Sequence, residues 1–454
     1  MGKVNASIPK GTRDFGPQEV YKRQYIIRTL REVFERFGFQ PIETPAMEQL
    51  STLTGKYGDE GDKLLFRILN SGDFLRKADA QALAEKDSQA LSPSISEKGL
   101  RYDLTIPFAR YVVMNQHAIT LPFRRYQIQP VWRADRPQKG RYREFYQCDV
   151  DIVGTGSLLC EAELIQIYQQ AFSALQLPVN ILINNRKILE GLAEVIGAKD
   201  QFNALVVALD KLDKIGWEKV IEEMERNGID RSKAEQLQQI IENSGNDLSA
   251  LREALAGSAA GLKGIDEIET IFSYLNDDEK AGASFTLTLA RGLDYYTGTI
   301  FEVKAKDAQM GSIGGGGRYD DLTGVFGLKE VSGVGVSFGL DRIYDVLEEK
   351  GLYPETAAQG TQVLFVNFDS EGEAAAFGYC RELRAAGFRA EVYPESAKMK
   401  KQMKYADANQ IPFVILIGSE ERQQGVVTLK DMATGDQSTL SLSAVIQHLQ
   451  EHLA

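Results

Sequence analysis

Val131-Trp132-Arg133-Ala134-Asp135-Arg136-Pro137-Gln138-Lys139-Gly140-Arg141-Tyr142-Arg143-Glu144-Phe145-Tyr146-Gln147-Cys148-Asp149-Val150-Asp151-Ile152-Val153 reads as strand, loop, strand. Side chains alternate across a strand, so Tyr146, Cys148, Val150 and Ile152 share one face and Phe145, Gln147, Asp149 and Asp151 the other. The first set suits a core. The second carries an aromatic ring followed by a row of hydrogen-bond acceptors. If that face lines a pocket, Phe145 offers a plate for stacking a purine, and Gln147 and Asp151 accept from an ammonium or imidazole donor. An edge strand with its polar side chains in water fits these residues equally well. The loop tips the balance. A hairpin through it brings Arg133 near Phe145, and Arg133, Arg136, Lys139 and Arg141 gather around one turn. Arginine binds phosphate through paired hydrogen bonds and stays charged when desolvated. An arginine aligned with an aromatic ring and acceptors favours a binding site over a solvated basic turn.

Composition narrows the class. The chain has 454 residues, of which 43% are hydrophobic and 26% charged, as expected for a globular protein of more than one domain. Cys148, Cys160 and Cys380 are scattered, and His117, His448 and His452 do not cluster with them. The pattern argues against a disulfide framework, a structural metal and a Ser-His-Asp triad. Met1 to Ala6 has no apolar stretch of the signal-peptide kind, and the apolar run Ile411–Ile417 is too short to span a bilayer. A cytoplasmic location without a membrane partner is expected. The formal net charge of −12 counts against a nucleic-acid partner as a global sum, although a local basic stripe still neutralises phosphate.

Around the hairpin, the order of patterns predicts several domains. Tyr25, Ile26, Leu30, Val33, Phe34 and Phe37 recur at helical spacing, with Gly38 at a C-cap position, before an extended, proline-broken stretch from Phe39 to Pro45. Residues 61–76 read as strand and turn, and 77–100 as helix and surface loop. Helical patterns fill Lys187–Ile196, Gln201–Ile215, Trp217–Asn227, Ser232–Glu242, Leu248–Leu255 and Ile265–Leu275, with Asp200 and Asp230 as caps. Strands resume at Ser284–Ala290 and Thr299–Ala305. Gly314–Gly317 follows, and Gly333–Phe338 reads as a buried strand opening into a helix from Leu340 to Lys350. Past a linker at Gly351–Gly360, strands and helices alternate through Val363–Val366, Gly372–Ala386, Arg389–Val392, Met399–Asn409 and Phe413–Ile417. That alternation predicts an open, mostly parallel α/β sheet. The expected divisions are a core in two parts, 1–185 and 283–350, a helical insertion at 186–282 and a C-terminal domain at 361–454.

Two further runs join the hairpin. Arg291-Gly292-Leu293-Asp294-Tyr295-Tyr296-Thr297-Gly298 combines a cation with two adjacent phenols, and Gly314-Gly315-Gly316-Gly317-Arg318-Tyr319-Asp320 lets backbone approach a ligand or, read alone, makes a flexible hairpin. With the hairpin they point to activation of an amino acid by ATP.

At this point the chain resembles the class II aminoacyl-tRNA synthetases, and within them the histidyl-tRNA synthetase family. The hairpin resembles motif 2, and the helix ending in Phe39–Pro45 resembles the dimer-interface motif 1. Gly333-Val334-Gly335-Val336-Ser337-Phe338-Gly339-Leu340-Asp341-Arg342 resembles motif 3. The Arg291 and Gly314 runs resemble the two histidine signatures, and Pro9-Lys10-Gly11-Thr12-Arg13-Asp14-Phe15 resembles the family's opening segment. The resemblance runs from Pro9 to the C-terminus.

It implies an antiparallel sheet of six or seven strands with a helical insertion, followed by an α/β anticodon-binding domain. It also implies a homodimer that joins L-histidine to its cognate tRNA, using ATP with Mg2+. Arg133, Arg141 and Arg342 would hold ATP, with Phe145 stacking on adenine. Arg291, with Arg133, would serve catalysis by stabilising charge at the α-phosphate. Asp103, Thr105, Gln147, Asp151, Tyr295 and Tyr296 would recognise histidine. Asp103 and Thr105 also suit a turn and helix start before Pro107. Asp151 stands where many bacterial members carry the longer Glu. Lys398, Lys400, Lys401 and Lys404 are candidates for tRNA phosphate. A non-catalytic alternative is the synthetase-like regulatory subunit of ATP phosphoribosyltransferase, which generally lacks an anticodon domain.

Overall fold

The computed structural model describes residues 5–55, 58–291, 295–354, 357 and 360–453. The chain divides into two compact units, Met1–Asp14 with Tyr25–Leu352, and Phe15–Gln24 with Tyr353–Ala454.

In the larger unit, β1 (Gln40–Pro41) is followed by β2 (Met47–Gln49), β3 (Arg67–Ile68) and β4 (Lys98–Leu100), the last three forming a small antiparallel sheet. β5 (Phe123–Trp132) and β6 (Glu144–Val153) are the arms of the expected hairpin, and β7 (Val179–Asn185), β8 (Ala283–Phe285), β9 (Thr299–Ala305), β10 (Gly314–Tyr319) and β11 (Gly333–Gly339) complete the large sheet. Its strand order is β1-β5-β6-β11-β10-β9-β7-β8. The six inner strands are antiparallel neighbours, but β1 joins β5 in parallel and β8 joins β7 in parallel. The sheet therefore has eight strands and mixed edges rather than six or seven all antiparallel. The two parallel additions are strands of two and three residues, too short to show a pattern of their own.

Alternation along β6 sorts its two faces. Cys148, Val150 and Ile152 are buried among apolar side chains. On that side of the sheet the Phe338 ring packs 5.5 Å from Phe34, 4.7 Å from Tyr168 and 5.4 Å from Phe172. Phe34 comes from the helix Pro17–Arg36, and Tyr168 and Phe172 from the helix Leu159–Ala174. Each fully buried ring of this kind contributes about 1.5–3 kcal/mol. With core on one side of β6, Phe145, Gln147, Asp149 and Asp151 turn to the other.

Helices fill the segment between β7 and β8. Arg186–Val195 and Ala259–Ser273 cross where a Cβ on Gly191 would lie 2.6 Å from the Gly261 Cα, so both positions need glycine for the backbones to touch. The expected helix Gln201–Ile215 is interrupted. One helix runs Phe202–Leu209, and the next, Leu212–Arg226, kinks at Gly216, where φ is 75°. Asp200 lies inside a 3-10 turn, and the Asp230 side chain makes no cap bond. The caps are made by Asn185, Asp247, Ser258 and Asn276. Three other expectations are corrected. Residues 61–76 begin in a helix, Gly58–Lys63; residues 77–100 form two helices and β4; and the strand expected over Ser284–Ala290 ends at Phe285.

The smaller unit holds β12 (Val363–Phe365), β13 (Ala390–Val392), β14 (Phe413–Leu416), β15 (Val427–Asp431) and β16 (Gln437–Leu440), ordered β13-β12-β14-β15-β16. β12 is parallel to both neighbours, whereas β14-β15-β16 is antiparallel, so the sheet is mixed rather than mostly parallel. Val363, Phe365 and Ile415 join one core with the helix Ser370–Ala385, and Leu364, Val366 and Val414 join another with Ala406 of the helix Met399–Ala408. Burial on both faces explains why these strands are continuous apolar runs.

Candidate active site

The β5–β6 register places Val131 opposite Phe145. One step on, Arg133 N donates to Arg143 O at 3.0 Å, and the Arg133 guanidinium stands 5.2 Å from the Phe145 ring centre. Its other side rests 4.1 Å from the Tyr102 ring, and its Nε donates to Tyr102 O at 3.0 Å. Arg133, Arg141, Phe145 and Arg342 line a single outer cleft with Gly140 and Ser312. Arg342 lies in the first turn of the helix Leu340–Lys350. It donates to Gly140 O at 2.7 Å and to Ser312 O at 2.6 Å. Burial, with Arg141 and Arg133 close by, lowers its pKa. Arg141 lies 3.7 Å from Asp135. Three guanidiniums converging on one void, with an aromatic plate beside them, suit an anion that carries a ring.

A second cavity adjoins the first and is deeper. Asp103, Thr105, Gln147, Asp151, Tyr295 and Tyr296 all line it, and Arg133, Gln147, Arg291, Gly315 and Ser337 line both. The Tyr295 and Tyr296 rings stand 4.7 Å apart. Arg291 donates to Phe301 O at 2.9 Å; Gly292, Leu293 and Asp294 of its run lie outside the described residues. Asp103 Oδ1 accepts from Ile106 N at 3.2 Å, at the start of the helix Thr105–Met114. Gln147 Nε2 donates to Ser337 Oγ at 3.0 Å, and its Oε1 has no hydrogen-bond partner among the described residues.

The glycine run is not a loose hairpin, and Gly314, Gly315 and Gly316 contribute to the lining of the cavities. Gly314–Gly317 lies in β10, paired on both sides. A Cβ on Gly315 would stand 1.9 Å from Arg291 Nη1, and one on Gly335 1.9 Å from Asp151 Oδ1. The glycines make room for the site's own side chains to lie across the strands. Beyond them, Arg318 pairs with buried Glu161 through two contacts of 2.5 and 2.6 Å. That pair ties β10 to the helix Leu159–Ala174. Arg13 of the opening segment pairs with Asp341 at 2.5 Å and lies 3.5 Å over the Tyr142 ring, which fastens that segment beside the outer cleft.

Several residues in or directly behind the inner cavity lie outside the expected set. Arg125 faces Asp151 in the β5–β6 register and pairs with it at 2.7 Å without hydrogen-bond geometry, while Tyr319 Oη donates to Asp151 Oδ1 at 2.6 Å. Extending the hairpin pairing six residues back from Val131 and Phe145 would have found Arg125. Asp149 also lines this cavity, on the face that alternation assigns to it. Burial pushes its carboxyl up to about 7 despite Arg125.

A sheet face that presents an anion cleft joined to a small polar pocket defines an enzyme that brings a nucleotide and a small polar molecule together. The comparisons say which. The histidyl-tRNA synthetase family profile matches residues 11–75 and 91–343, and the anticodon-binding domain profile matches residues 362–452. Histidine–tRNA ligase of Christiangramia forsetii is 57% identical, over 97% of this chain and 98% of that protein. That of Phocaeicola vulgatus is 56% identical, over 96% of each. The crystal structure of histidyl-tRNA synthetase from Nostoc sp. PCC 7120 superposes with a TM-score of 0.81 at 30% identity, covering 99% of this chain and all of that one. The chain belongs to the histidyl-tRNA synthetase family, and is thus an aminoacyl-tRNA ligase.

Proposed function

We propose that the two cavities carry out histidine–tRNA ligation in two steps. ATP occupies the outer cleft, with adenine on Phe145 and its phosphates among Arg133, Arg141 and Arg342. Histidine occupies the inner cavity, among Asp103, Thr105, Gln147, Asp151, Tyr295 and Tyr296. Asp151 supports that cavity's floor through Arg125 and Tyr319. A histidine carboxylate oxygen attacks the α-phosphorus, and pyrophosphate leaves. The terminal ribose hydroxyl of tRNA then attacks the histidyl carbonyl, and AMP leaves. Arg291 stands at the boundary of the two cavities, where its charge stabilises the crowded α-phosphate. No side chain is consumed as a nucleophile. Positioning and electrostatics supply the rate.

The observation that carries this reading is the boundary shared by the cavities: Arg133, Gln147, Arg291, Gly315 and Ser337 line both, so two ligands seated there meet. ATP enters as its magnesium complex, since Mg2+ is ordinarily held by phosphates and water with one or two carboxylates. The reading extends to a homodimer in the cytoplasm. It takes 1–185 and 283–350 as the catalytic core, 186–282 as an insertion, and 361–454 as the anticodon-binding domain. Lys398, Lys400, Lys401 and Lys404 are all exposed, which supports a phosphate-binding role for them. ATP–pyrophosphate exchange tested with every amino acid decides the matter. Exchange dependent on histidine is expected; exchange with another amino acid, or with none, refutes it.

A further inference from the structure

Arg13 joins parts of the chain that lie far apart in sequence. Its Nη2 pairs with Asp341 Oδ1 at 2.5 Å, and its Nη1 lies 3.5 Å from Asp345 Oδ1. Both carboxylates belong to the helix Leu340–Lys350, which also carries Arg342. The same guanidinium lies 3.5 Å over the Tyr142 ring, and Tyr142 Oη donates to Asp345 Oδ2 at 2.6 Å. Asp341 Oδ2 accepts from Tyr146 N at 2.8 Å, and Arg143 N donates to Gly11 O at 2.8 Å. The opening segment is thus laced both to the β5–β6 hairpin and to the helix. A planar guanidinium suits the place, because it stacks on a ring and meets carboxylates in one geometry.

Tyr142 and Asp341 line the outer cleft beside Arg141 and Arg342. Arg141 is loosely held, with its side chain half exposed and 3.7 Å from Asp135. Where its guanidinium stands is therefore set by the backbone that carries it, and the next residue along that backbone is Tyr142. Charge matters as well. The side chains of Asp341 and Asp345 are only 4% and 14% exposed, so salt and water screen them poorly. Without the Arg13 charge, two carboxylates at this wall would oppose the entry of a polyphosphate. Resting on the histidine–ATP reading above, we propose that Arg13 is a positioning residue for ATP. It fixes Tyr142, and with it Arg141, against the helix that carries Arg342, and it offsets the charge of Asp341 and Asp345. Arg13 itself is not among the residues that line either cavity, and acts through these neighbours.

The test is pyrophosphate exchange by the full-length enzyme, with ATP varied at saturating histidine and histidine varied at saturating ATP. Arg13→Met is expected to raise KM for ATP by about tenfold or more, the loss that goes with a charged hydrogen bond, while KM for histidine stays nearly unchanged. Arg13→Lys keeps the charge without the planar stack and should recover part of that loss. Tyr142→Phe removes only the hydroxyl bond to Asp345. It should raise KM for ATP by about fivefold, and it carries the test should Arg13→Met fail to fold. A purely structural role weakens both substrates together, so an equal change in both KM values, or an unchanged KM for ATP, overturns the assignment to Arg13. Absence of histidine-dependent exchange in the unmodified enzyme overturns the proposed function itself.

Discussion

At the scale of single residues, the site is a problem of charge placement. Arg291 sits where both cavities meet, and a single transition-state donor of this kind is worth on the order of 10²–10³ in rate. Arg291→Ala is expected to lower histidine-dependent pyrophosphate exchange by that factor and to leave the thermal unfolding midpoint close to the unmodified value. Unchanged exchange would remove Arg291 from the chemistry. Asp149 bears on stability. Burial raises its carboxyl from an ordinary 3.8 to about 7, so between those values the folded chain holds a proton that the unfolded chain has released. Folding is then favoured at low pH and progressively penalised as pH rises, up to about 7. Replacing the carboxyl with a neutral amide removes the penalty. Thermal unfolding of ligand-free Asp149→Asn should show an advantage over the unmodified chain that is small near pH 4, grows toward pH 7 and then levels off. An advantage independent of pH would contradict the cause given for the shift.

At the scale of elements, β10 and β11 act as a platform whose glycines admit side chains from elsewhere. The nearest atom to a Cβ on Gly315 is the end of the flexible Arg291 side chain, at 1.9 Å. That side chain can give way without breaking the sheet. Gly315→Ala should therefore reproduce much of the Arg291→Ala defect, since a displacement of about 1 Å can cost about 10²-fold, while denaturant unfolding changes little. The opposite balance is expected at Phe338. Its ring is 0% exposed among the rings of Phe34, Tyr168 and Phe172, and Phe338→Ala should cost about 3–5 kcal/mol in chemical denaturation. Most of the pattern behind this platform is local. The hairpin, the strand Thr299–Ala305 and the helix Leu340–Lys350 are legible because period 2 and period 3.6 are written into them. The short strands β1, β3 and β8 are not, because two or three residues show no period and take their conformation from the neighbour they pair with.

At the scale of the whole molecule, the chain divides into two units, and Phe15–Gln24 groups with the C-terminal one. A chain ending at residue 360 should keep histidine-dependent pyrophosphate exchange within about tenfold, and lose tRNA charging by on the order of 100-fold, since each 1.4 kcal/mol of lost contact is a factor of ten. Equal loss of both activities would mean that the C-terminal unit serves folding instead. The amino-acid sequence alone determined the order of the motifs, the aromatic-and-acceptor face of β6 and the cations of its loop, because strand alternation and hairpin pairing are local rules. Only the tertiary structure decided how those side chains are used. The Tyr319 bond to the Asp151 carboxylate and the passage of the Arg291 side chain over Gly315 depend on segments distant in sequence becoming neighbours. Whether a buried carboxylate is already satisfied or still awaits a donor is a property of everything packed around it, and no local pattern carries that information.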